Sequence, residues 1–111
     1  MLKYSLFLVF ATTLFACGSD EQTIPEGIID RGELINIVVD VEVAQALIRF
    51  KLSHGDTLNQ DQIFNEVYNN HHISQEEFNR SLAYYCKEPK DLEGLYADVI
   101  TALYEKQVED Q

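Results

Sequence analysis

The segment from Glu33 to Leu52, ELINIVVDVEVAQALIRFKL, constrains the fold most, because it contains neither glycine nor proline. Apolar residues from Ile35 to Val43 alternate with several polar residues, which is typical of a strand. A competing set of apolar residues recurs at three- and four-residue spacing, which favours a helix. Twenty residues exceed the length of an ordinary strand but suit a helix. We therefore predict a helix here.

This predicted helix is apolar on two opposite faces when its residues are placed at about 100° intervals. The first face contains Leu34, Ile37, Val38, Val41, Ala44, Ile48 and Leu52. The second face contains Ile35, Val39, Val43, Ala46 and Phe50. A helix of this kind packs between two neighbours or presents one face to a partner. Ile35, Val39 and Val43 are therefore candidate interface residues.

Three further helices are predicted downstream. The first runs from a cap at Asn59 to about Asn70, and the second starts at Ser74 and stops before Pro89. The third runs from Pro89 to about Gln107, with apolar residues at helical spacing. We predict an all-α fold, a small bundle of about four helices with a long central first helix.

The N-terminus has the pattern of a secretory signal. A lysine precedes an apolar stretch from Leu6 to Ala16, which is too short to span a bilayer comfortably. Residues 14–17, LFAC, resemble the lipobox of bacterial lipoproteins, in which the cysteine is acylated and becomes the new N-terminus. We expect residues 1–16 to be removed and Cys17 to carry lipid. A disulfide between Cys17 and Cys86, or a free thiol, is the alternative.

The chain after the predicted cleavage site divides into a tether and one domain. Residues 17–27 are the lipidated cysteine and a small, acidic, proline-bearing tether, and residues 28–111 form a single helical domain. Two or three fatty chains hold a protein firmly on a membrane, whereas one chain gives only marginal binding. No later segment has the apolar length to cross a membrane, so the protein is expected to be anchored and not to span.

The charge balance excludes one class of partner. The chain carries 19 acidic and 8 basic side chains, with a formal net charge of −11. Cleavage before Cys17 removes one basic side chain, Lys3, and changes the charge from −11 to −12. Such a surface repels nucleic acid and anionic lipid headgroups. We therefore expect no nucleic acid partner.

The residues that carry chemistry form no catalytic or metal-binding pattern. His71 and His72 are adjacent, so on a helix they point about 100° apart, and His54 lies far along the chain. We predict no metal and no cofactor, and we assign His71 and His72 to capping of a helix C-terminus. Asp40 is expected to bond a tyrosine hydroxyl or a helix terminus. Cys86 is expected to be a small buried core residue.

Catalytic motifs are missing from the sequence. It contains no nucleophile elbow, no glycine-rich phosphate loop and no dithiol pair, so we predict that the protein is not an enzyme.

The predicted domain is rich in tyrosine. We expect Tyr85 and Tyr96 in the core, whereas Tyr84 points outward beside Tyr85 and is a further interface candidate.

The order of these features resembles a known family. A lipobox is followed by a tether, an Ile-Pro pair, a long helix with a central Asp and an Ala, and a Tyr-Tyr to Pro helix junction. The matching residues are Ile24, Pro25, Ile37, Asp40, Ala44, Phe64, Tyr68, Phe78, Leu82, Tyr84, Tyr85, Pro89 and Tyr96. The chain is similar in these positions to domain-of-unknown-function family 4296, small lipoproteins of Gram-negative bacteria. The resemblance implies an all-helical lipoprotein domain and supplies no catalytic residues.

The residues after Cys17 resemble the export signal that such bacteria use for surface lipoproteins, in which acidic side chains follow the lipidated cysteine. They are Gly18, Ser19, Asp20 and Glu21, of which Asp20 and Glu21 are acidic. The alternatives are cell-surface display and the periplasmic face of the outer membrane. We expect an outer-membrane lipoprotein whose domain is a non-catalytic binding or accessory module of an envelope protein assembly. The alternatives are an enzyme acting on an envelope glycan or lipid, and a chaperone-like binder of periplasmic clients.

Overall fold

The computed structural model describes residues 23–109, which contain four helices and no strand. The helices are α1 (Arg31–Ser53), α2 (Gln60–Asn70), α3 (Gln75–Tyr85) and α4 (Pro89–Glu109). The predicted all-α bundle with a long first helix is confirmed. The predicted signal at 1–16, Cys17 and the candidate export residues Gly18, Ser19, Asp20 and Glu21 lie outside the described residues.

Local capping chemistry sets the helix starts. Asn59 Oδ1 accepts a hydrogen bond from the Gln62 N–H at 3.2 Å, and Ser74 Oγ accepts one from the Glu77 N–H at 3.1 Å. Both side chains satisfy an amide that has no partner inside the first turn of its helix. The helix starts predicted at these two residues are therefore confirmed.

The start of α1 lies two residues earlier than predicted. Asp30 is the cap, and its Oδ2 accepts hydrogen bonds from the N–H of Gly32 at 3.1 Å and of Glu33 at 3.4 Å. An aspartate followed three residues later by a glutamate is the sequence pattern of a helix start. The boundary was therefore present in the sequence, but the apolar pattern begins only at Leu34.

Helix α1 lies at the centre of the bundle and packs against α2, α3 and α4. Most of the buried side chains belong to it, and they are Leu34, Ile37, Val38, Val39, Val41, Ala44 and Ile48. Leu95 and Val99 from α4 and Tyr68 from α2 complete this core with Phe78 from α3. The Tyr68 and Phe78 rings lie 5.2 Å apart in a tilted arrangement, which joins α2 to α3 beneath α1.

The chain enters the bundle through a turn that α3 holds in place. Gly27 has a φ of 81°, and the turn is closed by a hydrogen bond from the Ile28 N–H to the Pro25 C=O. The next residue, Ile29, donates its N–H to Ser81 Oγ and accepts from the Tyr85 hydroxyl, both at 2.8 Å. Side chains of α3 therefore satisfy both backbone groups of Ile29, where no helix partner exists.

No helix among the described residues combines the length and apolar character needed to cross a bilayer.

Candidate functional site

The most exposed apolar surface is a row of five side chains on α4. Its members are Leu92, Tyr96, Ile100, Tyr104 and Val108, which are 44%, 44%, 52%, 67% and 72% exposed. Residues four apart on a helix advance by about 40° around its axis, so the row turns gradually away from the buried face. This drift explains why exposure rises along the row. We call these five side chains the α4 row.

The α4 row is large for a protein surface. With two tyrosines and three aliphatic side chains, it presents apolar area on the order of 500 Å², the upper range for the largest patch of an ordinary monomer. The apolar positions of α4 together cover about 240° of its circumference, whereas α1 and α3 cover only part of it. Burial in the core therefore does not account for the composition of α4.

Acidic side chains border the row. Helix α4 carries five acidic and two basic side chains. Asp98 is paired with Arg31 at 2.8 Å, and Lys106 is paired with Asp40 at 3.2 Å. Outside these two pairs, α4 carries four acidic side chains and one basic side chain, Lys90. The unpaired charge of α4 around the row is therefore negative. The row is an apolar strip with an acidic border.

A cleft of about 220 Å³ lies between α1, α3 and α4 at the start of the row. Val38 and Val41 from α1, Phe78 and Leu82 from α3, and Leu95 from α4 form its apolar lining. Two members of the α4 row, Leu92 and Tyr96, also line it, together with Glu42, Gln45 and Cys86. The cleft and the row are therefore one continuous surface. Sequence reasoning identified neither of them.

The second face of α1 is only partly available as an interface. Val39 is 5% exposed, so the prediction that it forms an interface is wrong, whereas Ile35 is partly buried against the core. They are covered because neighbouring helices pack on both faces of α1 in its N-terminal half. Val43 is 47% exposed, and Phe50 further along is 61% exposed. The uncovered part of this face therefore lies in the C-terminal half of α1.

Tyr84 is only partly accessible. The Tyr84 and Tyr85 rings are nearly perpendicular with their centroids 5.0 Å apart, and Lys87 Nζ lies 4.6 Å from the centroid of the Tyr84 ring. A cation–π contact of this kind contributes about 0.5–1 kcal/mol at exposed sites, and here the Lys87 ammonium occupies one face of the Tyr84 ring.

The other two tyrosine predictions have different outcomes. Tyr85 packs against the core as expected, but Tyr96 is 44% exposed, so its predicted core position is wrong. Tyr96 lies on the flank of α4 beside the other helices, which cover only part of its side chain.

Asp40 joins three helices. Its Oδ2 accepts from His71 Nε2 at 2.7 Å, and its Oδ1 accepts from Lys106 Nζ at 3.2 Å. Partial burial raises the pKa of Asp40, but hydrogen bonds from His71 and Lys106 outweigh that effect and bring the pKa below its usual 3.8. The partners of Asp40 are therefore His71, the residue at the C-terminus of α2, and Lys106, and not a tyrosine hydroxyl.

His71 and His72 end α2, as predicted. His71 is the cap residue, and His72 has a left-handed φ of 56° with its N–H bonded to the Asn69 C=O at 3.0 Å. The His54 ring lies against the Phe50 ring at the end of α1, with the centroids 4.3 Å apart and the planes tilted by 36°. Within residues 23–109, no three His, Cys, Asp or Glu side chains come together as metal ligands.

A polar recess of about 360 Å³ separates α1 from the C-terminal half of α4. Asp40 and Lys106 line it with Asn36, Glu105 and Glu109, beside Val39 and Ala102. Its Asp40 and Lys106 are committed to the ion pair that holds α4 on α1, and no lining side chain is a hydroxyl or thiol nucleophile. We therefore assign this recess a structural role, which matches the structural role predicted for Asp40.

Cys86 differs from its prediction. It is the C-cap residue of α3 and partly exposed, and is not a core side chain, because α3 ends one residue before it. Burial and the nearby charge of Asp91 raise the pKa of the Cys86 thiol, and Arg31 opposes them. The Cys86 thiol is therefore weakly nucleophilic at neutral pH, and it lies at the edge of the cleft. In the core, burial likewise raises the pKa of the Tyr68 hydroxyl.

Comparison with known proteins identifies the domain but no activity. No curated protein and no solved structure matches the chain. One family model, described as Domain of unknown function (DUF4296), matches residues 25–109. The match begins at the turn that leads into α1 and ends with the last residue of α4. Because the match covers most of the chain, the protein belongs to the DUF4296 family.

Proposed function

We propose that the protein is an outer-membrane lipoprotein, anchored through Cys17, whose helical domain is a non-catalytic binding or accessory module of an envelope protein assembly. The anchor is supported by the charged start, the short apolar stretch and the lipobox pattern at residues 14–17. Gly18, Ser19, Asp20 and Glu21 are the candidate signal for export to the cell surface.

The α4 row carries the proposal of binding. Its five side chains are held on a helix whose opposite side is fixed in the core by Leu95 and Val99, both 1% exposed. A rigid helix that presents apolar side chains in a row provides preorganised contact area, which lowers the entropy cost of association. Tyrosines in such positions are favoured in interfaces, because the ring is apolar and the hydroxyl tolerates water.

The partner surface is apolar with a border of lysine or arginine. The acidic residues around the α4 row complement such a border and accelerate the encounter. A second copy of this chain is disfavoured, because two copies, each with a net charge of −12 once Lys3 is removed with the signal, would bring equal acidic borders together. The partner is therefore a different protein of the envelope.

Photo-crosslinking in cells tests the interface. A crosslinking residue at Ile100 is compared with one at Glu66, which is exposed on α2. We expect a discrete product at Ile100, whose partner site maps to apolar residues beside lysine or arginine, and none at Glu66. The substitution Tyr104→Asp should remove this product. The proposal is contradicted if Ile100 and Glu66 give equal products, or if the crosslink at Ile100 joins only two copies of this chain. It is also contradicted if the product persists in Tyr104→Asp.

Labelling with palmitate tests the anchor separately. The wild-type chain should incorporate label and the Cys17→Ser variant should not, because the cysteine is the acylated residue. Protease added to intact cells then distinguishes the two faces of the outer membrane, since only a surface-displayed domain is digested. An unlabelled wild-type chain would show that the anchor assignment is wrong.

A further inference from the structure

The cleft beside the α4 row has the size of one large side chain. Its volume is about 220 Å³, and an apolar cavity of about 150 Å³ accommodates a benzene molecule. Val38, Val41, Phe78 and Leu95 are all 8% exposed or less, so this wall of the cleft is fixed by core packing. A preformed apolar site of this kind can desolvate a leucine, phenylalanine or similar side chain without rearrangement.

The charges at the cleft favour a cationic neighbourhood around that side chain. Glu42 lines the cleft directly, and the charge of Asp91 is close enough to raise the pKa of Cys86 on the opposite wall. Arg31 acts on Cys86 in the opposite direction but is paired with Asp98. A fatty-acid carboxylate or a lipid phosphate at the mouth would face Glu42 and be repelled. The electrostatics therefore disfavour a lipid occupant.

We propose that the cleft is an anchor site that takes a single large apolar side chain from a lysine- or arginine-flanked segment of a partner protein. This inference rests on the proposed function, because Leu92 and Tyr96 line the cleft and belong to the α4 row. A partner segment lying along the row inserts its anchor between α1, α3 and α4, and its flanking cations meet Glu42 and the acidic border. Such anchors dominate the free energy of many interfaces.

Protection of Cys86 from alkylation tests this site directly, because the thiol lies in the cleft. The full chain carrying Cys17→Ser has Cys86 as its single thiol. The probe is a capped peptide in which lysines flank one phenylalanine, with an alanine-for-phenylalanine peptide and a glutamate-flanked peptide as controls. If an occupied cleft does not react, the rate falls by 1 + [L]/Kd, about fivefold at four times Kd.

A matched pair of variants tests the charge argument. Glu42→Gln should raise the concentration for half-protection by about two- to fivefold, as expected for a partly exposed ion pair. Glu66→Gln on α2 removes the same charge away from the cleft and should leave this concentration unchanged. Circular dichroism of both variants verifies that their helix content equals that of the parent chain.

Three results would overturn the anchor site: no protection by the lysine-flanked peptide, equal protection by the glutamate-flanked peptide, or stronger protection by octanoate, which would indicate a lipid site. The crosslink at Ile100 depends on the α4 row and not on the cleft. If the lysine-flanked peptide gives no protection but the wild-type chain still crosslinks at Ile100, only the anchor site is rejected. If the otherwise wild-type chain gives no crosslink at Ile100, the proposed function is rejected.

Discussion

Removing the buried Ser81 hydroxyl should destabilise the domain far more than removing an exposed serine hydroxyl. Ser81 is fully buried, and its Oγ accepts the N–H of Ile29, itself buried, at 2.8 Å. In Ser81→Ala the Ile29 N–H loses its partner. The packing of α3 and α1 excludes solvent from this site, so water does not replace the lost bond. Leaving a buried donor unpaired costs about 1–3 kcal/mol. This is a large fraction of the stability of a small domain.

The measurement is urea unfolding followed by helical circular dichroism, on the full chain. A loss of about 2 kcal/mol corresponds to a fall in Tm of about 8–16 °C for a domain of this size. Ser53→Ala is the matched control. Its Oγ bonds the Phe50 C=O at 2.6 Å in an exposed position, where water replaces the bond, so we expect a change within about 0.5 kcal/mol.

A second substitution on the same contact tests the mechanism. The Tyr85 hydroxyl donates to the Ile29 C=O, so Tyr85→Phe should cost about 0.5–1.5 kcal/mol. Because Ser81 and Tyr85 hold one peptide segment, their effects should be non-additive in the double variant. If Ser81→Ala costs no more than Ser53→Ala, or if the two effects simply add, the reasoning about Ile29 is refuted.

Three other substitutions have defined outcomes. Because hydrogen bonds lower the pKa of Asp40, the stability it contributes is present above about pH 3.8 and is lost as pH falls below that value. The gap between wild type and Asp40→Asn in unfolding titrations, about 0.2–1 kcal/mol at neutral pH, should therefore close in acid. Gly27→Ala should lower Tm, because a φ of 81° strains alanine and its Cβ would lie 2.7 Å from the Arg80 guanidinium. Ser74→Ala should lose about 1 kcal/mol in urea unfolding, because the amide of the first turn of α3 loses its cap.

Helix positions were predictable because the chemistry that sets them is local. Asn59 and Ser74 each cap an amide three residues along, and Pro89 begins α4, so a few neighbouring residues contain the whole cause. The buried stripe of α1 was predictable for a related reason. A period of three to four residues assigns Leu34 and Ile37 to one face whatever packs there.

Contacts between distant parts of the chain were not predictable. Asp40 meets His71 across 31 residues and Lys106 across 66 residues, and nothing in the local sequence relates them. The same limitation explains the errors at Val39 and Tyr96. Both are apolar positions on apolar faces, and only the placement of the neighbouring helices decides that the first is buried and the second exposed.

The excess of apolar residues therefore has a different meaning in α1, which is packed by three helices, and in α4, which packs on α1 and α3 only. A central helix can bury two apolar faces, because neighbours lie on several sides of it, so its excess of apolar residues indicates position in the bundle. A helix at the edge packs on one side only, so the same excess leaves surface exposed. On α4 this surface runs from Leu92 to Val108 beside acidic residues that remain outside the ion pairs. The apolar surplus of an edge helix, and not of a central one, is the stronger indication of a partner.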